Sequence, residues 1–241
     1  MMALWFFSQW GLDILGPFPT GTRLMKFLVV GIDYFTKWVE AEPLAKITQK
    51  NVKNFVWKSI VCRFGVPRVL VFDNGRQFDN SPFRDFCEQL GINNHYFSPS
   101  HPQANGQAEV ANRSLLKITK TRLEGAEGIW SDELPGVLWA YRTTVRTPTG
   151  ETPFKLAYGS KAVIPAEVHM ASHRVKEYQA EENEVQLCLN LDLIDEVKMD
   201  IKQRIARYKN LMARQYDAMV KPRRFNIGDL VLKRVDRKSV V

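Results

Sequence analysis

The chain has 241 residues, 45% of them hydrophobic, with fourteen Phe and six Trp. That is enough for one sizeable core domain plus something smaller, and too apolar and aromatic for a disordered protein. No apolar run approaches the length of a membrane span, so no membrane partner is expected. The net charge of +8 is unevenly placed: the segment from Lys198 onward carries +9 and the first 197 residues carry −1, so the basicity belongs to a C-terminal arm, either a phosphate-binding surface or a solvated helix face.

In chain order, the apolar start MMALWFFSQW lacks a basic n-region and a small-residue cleavage site and is not read as a signal peptide. QWGLDILG (9–16) is a short strand with Asp13 in its middle, broken by GPFP. KFLVVGIDYF (26–35) is a strong strand, and WVEAEPL (38–44) is an edge strand ending at Pro43. A helix over 48–65 has Thr48 as N-cap, Val52, Phe55, Val56 and Ile60 at helical spacing, and Gly65 at its end. PRVLVFD (67–73) is apolar throughout and reads as a strand buried on both faces. A short helix over 81–91 starts at Ser81-Pro82, a strand follows over 93–99, and SHPQANG (100–106) is a loop. Further helices are expected over 107–124 and 131–146.

After Pro148 the pattern changes. Residues 152–168 read as an extended connector, and 174–220 as a long amphipathic helical stretch, acidic then basic, in one or two pieces. KPRRFNIGDLVLKRV (221–235) reads as the first hairpin of a small SH3-like barrel. The expected division is a core over 1–158, a connector and helical arm over 159–220, and the barrel start over 221–241. Cys62 and Cys87 lie among helix-patterned apolar residues and are expected to be buried free thiols in a reducing compartment. No CxxC pair exists, so no zinc site is expected. Three strands followed by alternating helices and strands predict an antiparallel meander extended by parallel strands, a mixed five-stranded α/β sheet of ribonuclease H-like layout.

Three acids stand out by position. Asp13 lies within the first strand, Asp73 ends the fourth, and Glu109 opens the helix after the HPQANGQ loop, with 35 residues between Asp73 and Glu109. In this topology strands one and four are neighbours, and the helix carries Glu109 to face them. Three converging carboxylates repel unless cations hold them, and oxygen-only ligands suit Mg²⁺ or Mn²⁺. Taken singly, each acid has an ordinary explanation: a turn former at Asp73, a solvent-facing strand residue at Asp13, a first-turn helix acid at Glu109. Their joint placement favours an active site. Asp33 is a competing acid expected near a strand end, outside the metal centre. At 100° per residue, Glu109, Asn112, Arg113, Lys117 and Lys120 share one helix face, a stripe suited to metal and phosphate.

QWGLDILGPFP, LVVGIDYFTKWVEAEPL, FGVPRVLVFDNGRQF, HPQANGQAEVANRSL, WAYRTTVRTPTGETPFKLAYG and PRRFNIGDLVL resemble the integrase core of retroviruses and, more closely, of gypsy-type LTR retrotransposons. The resemblance implies a triad of Asp13, Asp73 and Glu109 holding two Mg²⁺ or Mn²⁺ ions. It implies an enzyme that trims the 3′ ends of element DNA with water and joins them to target DNA by transesterification. It implies that Asn74 and Gly75 shape the turn beside the metal and that Gln103, Asn105 and Gln107 form the active-site loop. Asn112, Arg113 and Lys117 would face the DNA ends, with Lys120 on the same stripe. Lys221, Arg223 and Arg224 are further candidate phosphate contacts in the arm. His101 is read as loop structure. A homo-oligomer acting in the nucleus is implied by the reaction. Phe72 and Arg76 depart from the family, which has a small polar residue before the turn and Thr or Ser after it. The rivals are a relic DNA-binding protein that uses the basic arm without catalysis, and a ribonuclease H proper, which would need a fourth carboxylate.

Overall fold

Five strands form one mixed sheet in a computed structural model that describes residues 5–73, 80–97, 129–163 and 180–219. β1 (Gln9–Leu15), β2 (Phe27–Asp33) and β3 (Val39–Leu44) make an antiparallel meander. β4 (Val69–Asp73) and β5 (Asn93–Phe97) add in parallel on the other side of β1, giving the order β3-β2-β1-β4-β5. β3 is an edge, as its proline requires. The meander and parallel additions expected from the element order are both present.

Period-two alternation sends each strand's side chains to two cores. Trp10, Leu12, Val29, Leu70 and Phe72 face a core closed by two helices. The first, α1 (Gln49–Phe55), runs on through a π-helical stretch (Val56–Val61) and a final turn (Cys62–Phe64). The second is α2 (Ser81–Gln89). Leu28, Val30, Ile32 and Val71 face the opposite core, closed by α3 (Trp130–Thr143) through Trp130, Leu134, Val137, Leu138 and Tyr141. Burying one such side chain stabilises the fold by about 1.5–3 kcal/mol.

Thr48 caps α1, its side chain accepting from the Asn51 N–H, and Gly65 ends the rod at φ 87°. α2 starts at Ser81-Pro82, as expected, and its cap is Asn80. Two expectations are corrected. Residues 152–168 are not extended at their start: α4 (Pro153–Tyr158) is a short helix with Thr152 as cap and Gly159 in the left-handed conformation at its end. Cys87 is buried but Cys62 is exposed. The wide π turn rotates less per residue than an α turn, so the seven-residue step from Phe55 no longer returns Cys62 to the core face.

The helical arm comprises α5 (Ala180–Asp192) and α6 (Ile194–Met219). Ile201 and Ile205 of α6 pack with Leu156 of α4 on Phe35 and Phe6. Gly150 lies under this helix: a Cβ there would come within 2.8 Å of the Arg204 guanidinium. The barrel start expected over 221–241 lies outside the described residues.

The edge at β3 is blocked by a buried ionic cluster. Glu40 accepts from the Trp38 indole N–H (2.8 Å) and pairs with Arg142 and Arg63, both at 2.8 Å. Arg142 also donates to the Val39 carbonyl from Nε and Nη2, and its guanidinium stacks 4.4 Å from the Trp38 ring centroid. An unpaired strand edge is thereby covered by a side chain from α3.

Candidate active site

β1 sits at the centre of the sheet, and its parallel neighbour β4 is in register with it from Gln9 opposite Val69 to Leu12 opposite Phe72. In this ladder Asp13 follows the last paired residue of β1 and Asp73 the last paired residue of β4, and Asp73 pairs with Phe97 of β5. Residues sixty apart in sequence thus both lie toward the carboxyl-terminal side of neighbouring parallel strands, where open α/β sheets carry their ligands.

Asp13 is half-buried, and its Oδ1 accepts from the Ile14 N–H at 2.8 Å, which holds the carboxylate close to its own backbone. It shares a sheet face with Gly11, two residues before it. Gly11 is a notch: a Cβ would stand 2.6 Å from Cε1 and 2.8 Å from the hydroxyl of Tyr34. The phenol of Tyr34 fills that notch with no hydrogen-bond partner for its oxygen. Burial, and secondarily the Asp13 charge, push it well above the usual phenol range. Sequence reasoning missed this pair. A glycine two residues before a candidate ligand in an otherwise large-residue strand was the available signal.

Phe72, singled out as a bulky residue next to Asp73, points away from Asp13. It is buried in the other core, with its ring 5.7 Å from Phe83 and 5.0 Å from Tyr96. Strand alternation therefore removes the crowding that its size implies.

Asp33 ends β2 opposite Trp10, three rungs from the position of Asp13 and so outside the acid pair, as expected. It is wholly buried. Its Oδ2 accepts from both the N–H and the hydroxyl of Thr36 at 2.7 Å, and burial raises its pKa to about 6. Neighbouring Lys37, buried and donating to the Tyr34 carbonyl at 2.7 Å, is lowered to about 8, chiefly by burial. This cluster fixes the β2–β3 turn.

Asn74, His101, Gln103, Asn105, Gln107, Glu109, Asn112, Arg113, Lys117, Lys120, Lys221, Arg223 and Arg224 lie outside the described residues. Among the described residues no group of three or more His, Cys, Asp or Glu side chains forms a metal site. Carboxylates are oxygen donors, the ligand type that suits a hard divalent cation, and β1 and β4 each contribute one aspartate at this end of the sheet.

Residues 7–102 match the family model described as the integrase core domain. The chain is 32% identical over 227 residues to the Pol polyprotein of radiation murine leukemia virus, covering 93% of this chain and 37% of that protein. It is 37% identical over 154 residues to the Gag-Pol polyprotein of feline leukemia virus, covering 64% of this chain and 9% of the relative. The chain therefore spans well under half the length of these relatives. Among solved structures, a chain of the simian T-cell lymphotropic virus intasome superimposes with TM-score 0.59 at 22% identity, over 68% of this chain and 59% of that one. The magnesium complex of the HTLV-2 integrase catalytic core domain, a trimeric form, gives 0.50 at 20% identity over 61% and 93%. The catalytic core domain of BIV integrase gives 0.51 at 21% identity over 62% and 92%. Residues 7–102 are thus similar to an integrase core domain of the retroviral type, and the mixed five-stranded sheet has the ribonuclease H-like layout of the integrase cores it superimposes on.

Proposed function

We propose that the chain is a divalent-metal-dependent DNA integrase core of gypsy type, which trims 3′ ends and joins element DNA to target DNA. The observation that supports this reading is the parallel β1–β4 pairing, which runs up to the residues just before Asp13 and Asp73, within a segment matching the integrase core family. Asp13, Asp73 and Glu109 would hold two Mg²⁺ or Mn²⁺ ions, and the HTLV-2 core of the same fold is a magnesium complex. Bound there, such ions supply Lewis-acid stabilisation of the attacking and leaving oxygens.

The protein's own part is positioning. The Ile14 N–H orients Asp13, and the rigid β1–β4 ladder fixes its spacing from Asp73. Asn74, Gln103, Asn105 and Gln107 border the reacting phosphate, while Asn112, Arg113, Lys117 and Lys120 hold the DNA backbone. In the joining step a 3′-hydroxyl oxygen attacks a target phosphorus. The bond from that phosphorus to the target strand's own 3′ oxygen breaks, so one phosphodiester replaces another and no covalent protein intermediate forms. The basic segment from Lys198, including Lys221, Arg223 and Arg224, extends the phosphate-binding surface. The protein acts as a homo-oligomer on DNA in the nucleus.

A strand-transfer and disintegration assay on labelled oligonucleotides with Mg²⁺ or Mn²⁺ tests the reading. Joined product from the wild type and none from Glu109→Gln is the expected result. Equal behaviour of the two proteins, with DNA retained on the arm, would instead favour a non-catalytic DNA-binding protein.

A further inference from the structure

The helical arm leaves an apolar line in solvent. Val185, Leu189, Leu193 and Val197 recur every fourth residue and are 59, 47, 48 and 40% exposed, and Leu211 is 51% exposed. At 100° per residue, Leu193, Val197, Asp200, Arg204 and Leu211 fall within about 60° of one another on α6. Ile201 and Ile205, which bind the helix to its own core, lie roughly 90° round from that line. The stripe is therefore not the face that carries Ile201 and Ile205, although Arg204 at its border also reaches over Gly150.

Charge reverses sharply along the same helices. Residues 180–200 hold seven acids and one lysine, and 201–219 hold five bases and one acid. A nucleic acid lying along the stripe would meet the acidic half. A parallel copy would set acid against acid. An antiparallel copy sets each half against its opposite.

Four side chains of the stripe fit that arrangement in pairs, while Val197 falls opposite the aliphatic stem of Arg207. Leu193 and Leu211 each lie nine positions from Lys202, and Asp200 and Arg204 each lie two positions from it. A two-fold axis at Lys202 therefore stacks leucine on leucine at both ends and brings aspartate to arginine on either side of the centre. Asp200 and Arg204 already pair within the helix at 2.9 Å and keep side-chain exposures of 59 and 49%, leaving both open to a second partner.

We propose that a second copy of this chain packs antiparallel along this face of α6, with the two-fold axis at Lys202. The interface is isologous, the same patch serving both copies. It involves neither the acid pair nor the sheet, so it stands apart from the catalytic reading.

The test uses the full chain in a Cys62→Ser, Cys188→Ser background. Leu193→Cys and Leu211→Cys are made separately, mixed and oxidised. In the antiparallel pair these two positions meet, while each stands about 27 Å from its own equivalent, eighteen residues at 1.5 Å each. The expected result is a disulfide-linked dimer at least tenfold more abundant in the mixture than in either protein alone. Adding Asp200→Arg to both proteins should abolish it, and adding Asp200→Arg with Arg204→Asp should restore it. Equal cross-linking in all three samples, or none in the mixture, would overturn the proposal, whatever else binds the stripe.

Discussion

Replacing Asp33 with Asn should remove a loss of stability that the native protein suffers on going from pH 4 to pH 6.5. Asp33 is wholly buried, and burial outweighs the two bonds from Thr36, the charge of Lys37 and the Phe7 backbone N–H. Its pKa rises from 3.8 to about 6. Below pH 3.8 the group is protonated folded and unfolded, and its contribution is fully present. As pH rises through 6 the unfolded chain has already ionised, and the folded state must hold a buried charge. Stability therefore falls across this window, because the folded state binds the extra proton. At about 1.4 kcal/mol per pH unit the full loss is about 3 kcal/mol, of which about 2 kcal/mol falls between pH 4 and pH 6.5. Urea unfolding followed by tryptophan fluorescence, in EDTA to keep the site acids metal-free, measures it for both proteins. The difference between Asp33→Asn and wild type should grow by about 2 kcal/mol in the variant's favour from pH 4 to pH 6.5. A difference that is flat, or that moves the other way, would refute the reasoning.

Three further substitutions probe the neighbourhood of the acid pair and the sheet edge. Gly11→Ala should cost about 1–3 kcal/mol by overpacking against the Tyr34 ring, and Tyr34→Ala in the same chain should recover part of that loss in thermal melts. Tyr34→Phe removes a buried hydroxyl that has no partner, so its melting temperature should equal or exceed that of the wild type. Arg142→Met leaves Glu40 buried with only the half-exposed Arg63 as a cation and should cost about 3–5 kcal/mol; urea midpoints measure it.

The order of strands was legible because each carries a strong local signature: β-branched runs, Pro43 at an edge, Thr48 and Gly65 bracketing a helix. That β1 and β4, the strands carrying Asp13 and Asp73, are neighbours was legible from the element order, because three meander strands followed by alternating helices and strands add the later strands in parallel beside the first. What escaped depends on contacts or on lengths below the reach of periodicity. α4 spans only six residues, too few to show a helical repeat, although Thr152-Pro153 and Gly159 mark both its ends. Cys62 was misplaced because the π turn interrupts the 3.6-residue period on which its burial was argued. Gly11 marked a close approach in β1, but nothing in the sequence spacing named Tyr34, just beyond β2, as the residue that fills it. The buried role of Glu40 escaped for the same reason, because both of its arginines come from distant helices.

The central claim is that Asp13 and Asp73 jointly hold a divalent cation. Mn²⁺ binding to the full chain, followed by electron paramagnetic resonance of the free ion, tests it most directly, with Asp13→Asn and Asp73→Asn as variants and circular dichroism confirming their fold. The account predicts saturable binding that each single substitution weakens tenfold or more. Binding unchanged in both folded variants would contradict it.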